Sequence, residues 1–282
     1  MQWTYYNHAA VPTTAPHEEV DLTSLKDGSV WKLRGGGNNE KPLLARWTSD
    51  FDCGEKTEWW YIIQDNPIVL ENLKKSHRRK INKGLKNFTV KAINPSEYAG
   101  RMAEIIIAMY QTYPEKYRPS ANKEDLTKSY QNPQLGSYPN LFFGAFNKDG
   151  LLCGFDHLID FGSYWDIAFG KVDPEWERQY ELNAAMIYTE IDTLREDLLK
   201  GKYLTNGSRN LNHETNLNED LIHYYGFRKA YCKLHMAYKP GIGIIVKTLY
   251  PFRRLLCRFD EIGIFHQINS IMRMEEIARG FK

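Results

Sequence analysis

Asp166 is the residue whose type and position best suit proton transfer or the binding of a positive charge. It lies in a predicted strand from Tyr164 to Gly170. Strand alternation puts Trp165, Ile167 and Phe169 on one face and Tyr164, Asp166 and Ala168 on the other. A carboxylate opposite a large apolar face can accept a proton, because partial burial makes it more basic. The alternative is a half-exposed strand residue that pairs with a lysine.

A second set of reactive side chains follows the short predicted strand Tyr203 to Thr205. The stretch from Asn206 to Asn216 is unusually polar and precedes a predicted helix, which begins at Asn216 with Glu219 three residues later and ends before Gly226. Loops at strand ends often carry binding residues. The substrate-binding candidates are Asn206, Ser208, Arg209, His213 and Glu214. Turn formation and helix capping would explain the same composition.

A third feature is a basic helix predicted within Leu70 to Phe88. Its apolar stripe has helical spacing and consists of Leu73, His77, Ile81, Leu85 and Phe88. The other faces carry Lys74, Lys75, Arg78, Arg79, Lys80, Lys83 and Lys86, with no acidic residue between Asn72 and Ser96. This pattern is typical of a surface for coenzyme phosphates, tRNA or an anionic membrane. The alternative is a solvated face on a core helix.

The elements that must position these residues follow a regular order. A hairpin is predicted from two strands, Leu141 to Phe146 and Leu151 to Phe161, which are joined by the turn Asn147-Lys-Asp-Gly150. The strand with Asp166 comes next, then a loop from Val172 to Tyr180 and a long helix from Leu182 to Leu199. After Tyr203 to Thr205 and the short helix, a last strand runs from Arg228 to Tyr238.

Composition narrows the class of protein. The chain has 282 residues, of which 42% are hydrophobic and 13% aromatic, so it can bury a substantial core and is not disordered. No uncharged apolar run reaches about 18 residues, which argues against a spanning helix. The cysteines Cys53, Cys153, Cys232 and Cys257 are far apart and lack zinc-site spacing, so no metal is predicted. The first residues lack the apolar core of a secretory signal, which predicts a cytoplasmic protein.

The order of elements from Leu141 to Tyr238 resembles that of the GNAT acyltransferase superfamily. The piece Tyr224-Tyr-Gly-Phe-Arg-Lys229 is similar to the step from the last helix of that family into its final strand. The piece Trp59-Trp-Tyr61, followed by the basic helix, resembles the FemAB-like branch. Together the similarity covers about residues 57–240. It implies an α+β fold with a central mixed sheet flanked by helices, an irregular N-terminal segment (1–57), an acyltransferase domain (58–240) and an amphipathic helical tail (241–282).

The resemblance also implies an activity, which is transfer of an acyl group from acetyl-CoA or another acyl-CoA to an amine. It implies Asp166 and Tyr225 as catalytic residues and an amino sugar or a cell-envelope precursor as acceptor. The coenzyme pyrophosphate would lie at Arg178, Gln179, Asn183 and Ala184, where the family usually has glycines that are missing here. One alternative is a FemAB-type transferase that uses aminoacyl-tRNA. The other is a non-catalytic module that binds an anionic partner.

The tail from Gly241 to Lys282 alternates apolar residues with cations. This composition is typical of a helix that lies on the inner face of a membrane, in which case the acceptor could be lipid-linked. The alternative is a C-terminal helix docked on the protein, with Pro251 as its break.

Overall fold

The computed structural model describes residues 2–35, 39–115, 118–211, 217–260 and 263–280. The strands are β1 (Trp3–Tyr6), β2 (Ala9–Pro12), β3 (Leu44–Ser49), β4 (Trp59–Gln64), β5 (Thr89–Ala92), β6 (Asn140–Phe146), β7 (Leu152–Asp160), β8 (Tyr164–Val172), β9 (Tyr203–Ser208) and β10 (Arg228–Tyr238). The α-helices are α1 (Thr23–Lys26), α2 (Lys75–Asn87), α3 (Pro95–Gln111), α4 (Lys123–Gln131), α5 (Pro174–Tyr180), α6 (Leu182–Thr193), α7 (Arg195–Leu199), α8 (Leu217–Tyr225), α9 (Ile242–Leu249), α10 (Arg253–Leu256) and α11 (Gly263–Arg279). Short 3-10 turns occupy Ser29–Lys32, Leu70–Asn72, Tyr250–Phe252 and Cys257–Phe259.

Two compact units are assembled from segments that are not contiguous along the chain. Unit 1 comprises Met1–Ile62, Ser208–Asn216 and Lys229–Lys282, and unit 2 comprises Ile63–Gly207 and Leu217–Arg228. The division into 1–57, 58–240 and 241–282 that the sequence suggests remains a prediction.

Unit 2 contains a mixed sheet whose strands lie in the order β9-β8-β7-β6-β5. Neighbouring strands are antiparallel except for the parallel pair of β8 and β9. The predicted hairpin of β6 and β7 is confirmed. The Asn147 side chain accepts hydrogen bonds from the backbone N–H groups of Asp149 and Leu151, and Gly150 has the positive φ of 78° that this tight turn needs.

Helices cover both faces of this sheet. On one face α2, α5 and α6 pack over Cys153 and Val172, and on the other α3 and α4 pack over Phe142 and Phe155. The predicted fold class, a mixed sheet flanked by helices, is confirmed for this unit. The sheet is therefore buried on two sides, and its polar residues are desolvated.

The predicted loop from Val172 to Tyr180 is wrong, because α5 occupies most of it. Asp173 caps this helix by accepting a hydrogen bond from the N–H of Glu175, and proline follows the cap at the first helical position. The predicted helix from 182 to 199 is also interrupted. It ends at Thr193, and α7 begins only after Leu194, whose backbone (φ −85°, ψ 5°) leaves the helical region.

The predicted alternation of β8 fails at its centre because the strand contains an irregularity. His157 of β7 lies opposite Phe169, but Leu158, the next residue, lies opposite Ile167, so Ala168 is an extra residue. His157 and Leu158 are neighbours and point to opposite faces of β7. Their partners, Phe169 and Ile167, therefore also point to opposite faces of the sheet. Phe169 therefore leaves the face of Trp165 and packs with Phe155 on the other side of the sheet.

In unit 1 the strand order is β1-β2-β3-β10. The pair of β2 and β3 is parallel, and the other two pairs are antiparallel. The N-terminal segment thus contributes short strands between its loops, and its buried cluster consists of Trp3, Ala10, Val30 and Ala45. The tail is helical, as predicted, and Met274 and Ile277 of α11 pack against Trp59 and Leu234.

Candidate active site

Asp166 lies in the middle of β8, between Ile159 of β7 and Thr205 of β9 in the register of the sheet. Its side chain is half-buried and has no hydrogen bond or ion pair with any residue that the structure describes. The predicted lysine partner is therefore not found among these residues. Burial alone raises the pKa of Asp166 to about 6. A carboxylate in this state is ionised at neutral pH and more basic than an ordinary aspartate, so it can accept a proton from a bound group.

Aromatic rings surround this carboxylate on its own face of the sheet. Tyr164 precedes Asp166 by two residues, and Tyr203 precedes Thr205 by two, so alternation brings all four side chains to one face. The Tyr164 and Tyr203 rings stack with centroids 5.3 Å apart, and Phe161 stacks on Tyr164 at 4.9 Å. Tyr164 and Tyr203 are themselves buried, so the surroundings of Asp166 on this face are apolar.

Tyr225, the second predicted catalytic residue, lies in the interior of unit 2. Its side chain is 2% exposed. Burial raises the pKa of the Tyr225 phenol far above its usual value, and the nearby carboxylates of Glu177 and Glu181 raise it further. The phenol therefore keeps its proton at neutral pH and is uncharged.

The start of α6, where the sequence predicts a pyrophosphate site, already contacts a carboxylate of the protein. The backbone N–H of Asn183 donates to the Glu177 carboxylate at 2.6 Å, so a side chain of the protein already takes the place of an anion. Ala184 is completely buried, and its N–H donates to the carbonyl of Glu181. A Cβ atom added at Gly84 of α2 would lie 2.6 Å from that carbonyl oxygen, so α2 closes the space above the helix start.

Arg178 and Gln179, the other predicted phosphate donors, are exposed at the end of α5. With Asn183 bound to Glu177 and Ala184 buried, the four predicted residues do not form one binding surface. The amide N–H groups of Asn183 and Ala184 already have acceptors within the protein, and the pyrophosphate site at these four residues stays a prediction.

The predicted acceptor-binding residues fall into different parts of the chain. In unit 2, the Asn206 side chain donates to the Oδ1 atom of Asn218 at 2.8 Å. In unit 1, Arg209 donates to the carbonyl of Glu58 at 2.6 Å and to its carboxylate at 3.2 Å, and its guanidinium lies over the Trp60 ring at 4.4 Å. Ser208 belongs to the same unit as Arg209. His213 and Glu214 lie outside the described residues.

The basic helix α2 carries an open, cation-lined surface. A concavity of about 470 Å³ is lined by Lys75, Arg78, Arg79, Asn82, Lys83 and Lys86, which we call the basic stripe. The structure gives none of these cations an ion pair with a described residue, whereas Lys80, off the stripe, pairs with Glu181 at 3.3 Å. Closely spaced like charges without counter-charges favour the binding of a polyanion.

Sequence reasoning missed a pair of buried carboxyl groups, Asp156 of β7 and Glu190 of α6. Burial raises both pKa values, that of Asp156 to about 6, and the two side chains hydrogen-bond to each other. Gly170 of β8 makes room for them, because a Cβ atom there would overlap the Asp156 carboxylate. The signal in the sequence was an acidic residue, Glu190, within the apolar run of α6.

No family model and no curated protein matches this sequence. Among solved structures, the chain is similar to FemX at 11% identity, over 77% of this chain and 74% of that chain, with a TM-score of 0.46. It is similar to L-PGS from Bacillus licheniformis at 10% identity, over 89% and 84% of the two chains, with a TM-score of 0.47. It is also similar to a tandem GNAT protein from the clavulanic acid biosynthesis pathway at 11% identity, over 82% and 75%, with a TM-score of 0.45.

All three similarities are distant, with TM-scores below 0.5, so the resemblance to the GNAT superfamily and its FemAB-like branch stays a prediction from the sequence. These distant similarities assign no role to any individual residue of this chain.

Proposed function

We propose that this chain is an acyltransferase that moves an acyl group to an amine, with Asp166 as the proton acceptor. The observation that carries this proposal is the half-buried Asp166 carboxylate, which has no cation or hydrogen-bond donor among the described residues. A buried charge that stabilised the fold would be paired, because an unpaired one costs free energy. Its retention at the centre of the sheet therefore supports a role in chemistry.

The proposed reaction forms one bond and breaks one. An ammonium acceptor first gives one proton to solvent. The free amine nitrogen then attacks the acyl carbon and the bond from that carbon to the leaving atom of the donor breaks. The Asp166 carboxylate takes the proton that the attacking nitrogen loses and returns it to solvent, and the leaving atom takes its proton from solvent. The stacked rings of Tyr164 and Tyr203 exclude water from one side of the acceptor, which strengthens the attraction between the carboxylate and an ammonium group.

Two donors are candidates, because the first amides of α6 contact Glu177 and not an open site. Acyl-CoA is the donor that the family resemblance implies, and it would need phosphate contacts elsewhere in the chain. The unpaired cations of the basic stripe favour a second candidate, an aminoacyl-tRNA, whose phosphates could follow the stripe. The acceptor that we propose is a small or lipid-linked amine, such as an amino sugar or a cell-envelope precursor.

The first experiment measures amine-dependent thiol release from acetyl-CoA with a panel of amines. For the amine that gives turnover, we expect Asp166→Asn to lower kcat/KM about 10²- to 10⁴-fold, the range for loss of a general base. The matched control is Asp149→Asn, which removes an exposed carboxylate in the hairpin turn and should leave turnover unchanged. Equal turnover in the wild type and Asp166→Asn would remove Asp166 from the mechanism.

The second experiment measures tRNA binding against salt concentration. The variant Lys75→Gln/Arg79→Gln/Lys83→Gln should weaken binding and reduce the slope of log K against log salt by up to about 2 to 3. The control variant changes three exposed lysines of the same unit, Lys128→Gln/Lys148→Gln/Lys200→Gln. If both variants bind tRNA equally, the stripe has no special role and the tRNA candidate fails.

If neither acyl-CoA nor aminoacyl-tRNA supports turnover, the chain is a non-catalytic module.

A further inference from the structure

The C-terminal part of unit 1 exposes large apolar side chains at high density. Within residues 242–259, the exposed fractions are 70% for Ile244, 54% for Ile245, 56% for Phe252, 50% for Leu255 and 46% for Phe259. We call these five residues the apolar ridge. A soluble surface carries isolated apolar residues, but a dense group of them marks a surface that another phase or molecule covers.

Polar groups hold this segment to the protein from beneath. Tyr250 lies under the guanidinium of Arg279, whose Cζ atom is 3.7 Å from the ring centroid. Arg253 donates to the Glu276 carboxylate at 2.9 Å, and the Asn269 side chain donates to the carbonyl of Leu256 at 3.2 Å. All these partners belong to α11. A docked helix usually buries its apolar face and exposes its polar one. Here polar contacts fix the segment, while most of its large apolar side chains point outward.

Within residues 239–259 the charged side chains have one sign. Residues 239–259 contain Lys239, Lys247, Arg253, Arg254 and Arg258 and no aspartate or glutamate. Arg253 is paired with Glu276, while Lys247, Arg254 and Arg258 are exposed and have no ion pair with a described residue. These three cations are free to meet negative charge outside the protein.

From this juxtaposition we propose that residues 242–259 bind peripherally to the surface of an anionic lipid bilayer. The ridge would enter the boundary between headgroups and acyl chains, and the three exposed cations would contact anionic headgroups. None of the described helices is long and apolar enough to cross a membrane.

A bilayer fits this surface better than a second copy of the chain does. A symmetric dimer brings the same patch of both copies together. The exposed cations Lys247, Arg254 and Arg258 of both copies would then lie in one interface, and like charges brought together disfavour association. An anionic lipid surface supplies both the apolar phase and the missing negative charge. This inference rests on unit 1 alone and does not depend on the proposed transferase activity.

The test is co-sedimentation of the full chain with vesicles of phosphatidylglycerol and phosphatidylcholine, and with vesicles of phosphatidylcholine alone. The apolar variant is Ile244→Ser/Phe252→Ser, and its control is Val69→Ser/Leu199→Ser, which alters two exposed apolar residues of unit 2. The charge variant is Lys247→Gln/Arg254→Gln/Arg258→Gln. Its control, Lys128→Gln/Lys148→Gln/Lys200→Gln, removes the same charge from exposed lysines of unit 2. A separate variant, Lys75→Gln/Arg79→Gln/Lys83→Gln, tests the basic stripe as a competing contact. Samples without vesicles correct for aggregation, and melting temperatures check that each variant folds.

We expect the wild type to pellet with anionic vesicles and to dissociate as salt is raised. The apolar variant should bind at least about tenfold more weakly, because each buried side chain of this size changes a partition constant by about that factor. The charge variant should also bind about tenfold or more weakly. Both controls should bind like the wild type.

Four results would overturn the proposal. Absence of pelleting in the wild type is the first, and equal pelleting with neutral and anionic vesicles is the second. The third is a loss of binding in the basic-stripe variant with the ridge variants unchanged, which would move the membrane contact to α2. If the wild type elutes as a dimer and only the apolar variant as a monomer, a second copy covers the ridge instead.

Discussion

Replacing Asp166 by asparagine should remove the proposed proton acceptor and make the protein more stable. Burial raises the pKa of this carboxyl from 3.8 to about 6. One pKa unit corresponds to about 1.4 kcal/mol. The ionised carboxylate therefore lowers the free energy of unfolding by about 3 kcal/mol at pH values above 6. Asparagine has nearly the same size and carries no charge, so it avoids this cost.

The sign of the pH dependence follows from the raised pKa. The folded chain holds the Asp166 proton more tightly than the unfolded chain does, so protonation contributes stability that is fully present below pH 3.8 and lost as the pH rises through about 6. The variant has no titrating carboxyl here and does not lose stability in this way. We expect the free energy of unfolding of Asp166→Asn to match that of the wild type at about pH 4 and to exceed it by up to about 3 kcal/mol at about pH 8.

Urea unfolding followed by tryptophan fluorescence across this pH range measures the difference directly. The control, Asp149→Asn, lies in an exposed turn and should follow the wild-type curve. A difference between Asp166→Asn and the wild type that stays constant with pH would refute the raised pKa. A variant that is less stable at every pH would mean that the carboxylate has a stabilising partner, and the argument for a proton acceptor would lose its basis.

Other substitutions test the packing around the site by urea or thermal unfolding. Gly170→Ala should lower stability by about 1–3 kcal/mol, because its Cβ atom displaces the Asp156 carboxylate, and unchanged stability would mean that Asp156 moves freely. Glu177→Ala should cost about 0.5–2 kcal/mol by freeing the N–H of Asn183, and Glu177→Gln should recover most of it; equal losses in both variants would contradict a capping role. Glu190→Gln should remove the loss of wild-type stability at alkaline pH, since the raised pKa of Glu190 makes its ionisation costly, and parallel melting curves from pH 7 to 10 would argue against this.

Features with a local physical cause could be predicted from the sequence. The β6–β7 hairpin follows from Asn147 and Gly150, which favour the turn whatever surrounds them. The basic helix follows from an apolar stripe with helical spacing, and His77 and Ile81 of that stripe are indeed buried. The sequence also drew attention to Asp166, because a lone carboxylate inside an apolar strand is visible as a break in the pattern; its role stays a proposal.

Tertiary structure decided the features that depend on contacts between distant segments. The extra residue Ala168 turned Phe169 to the other face of the sheet, and no periodicity in β8 alone reveals it. Glu177 took the helix start that the sequence suggested for a phosphate, because the bend at Glu181 (φ 60°) brings α5 back to the first amides of α6. The outward orientation of the apolar ridge was likewise fixed by contacts with α11. Sequence pattern specifies which side chains are apolar or charged, but only the assembled chain determines which of them remain exposed.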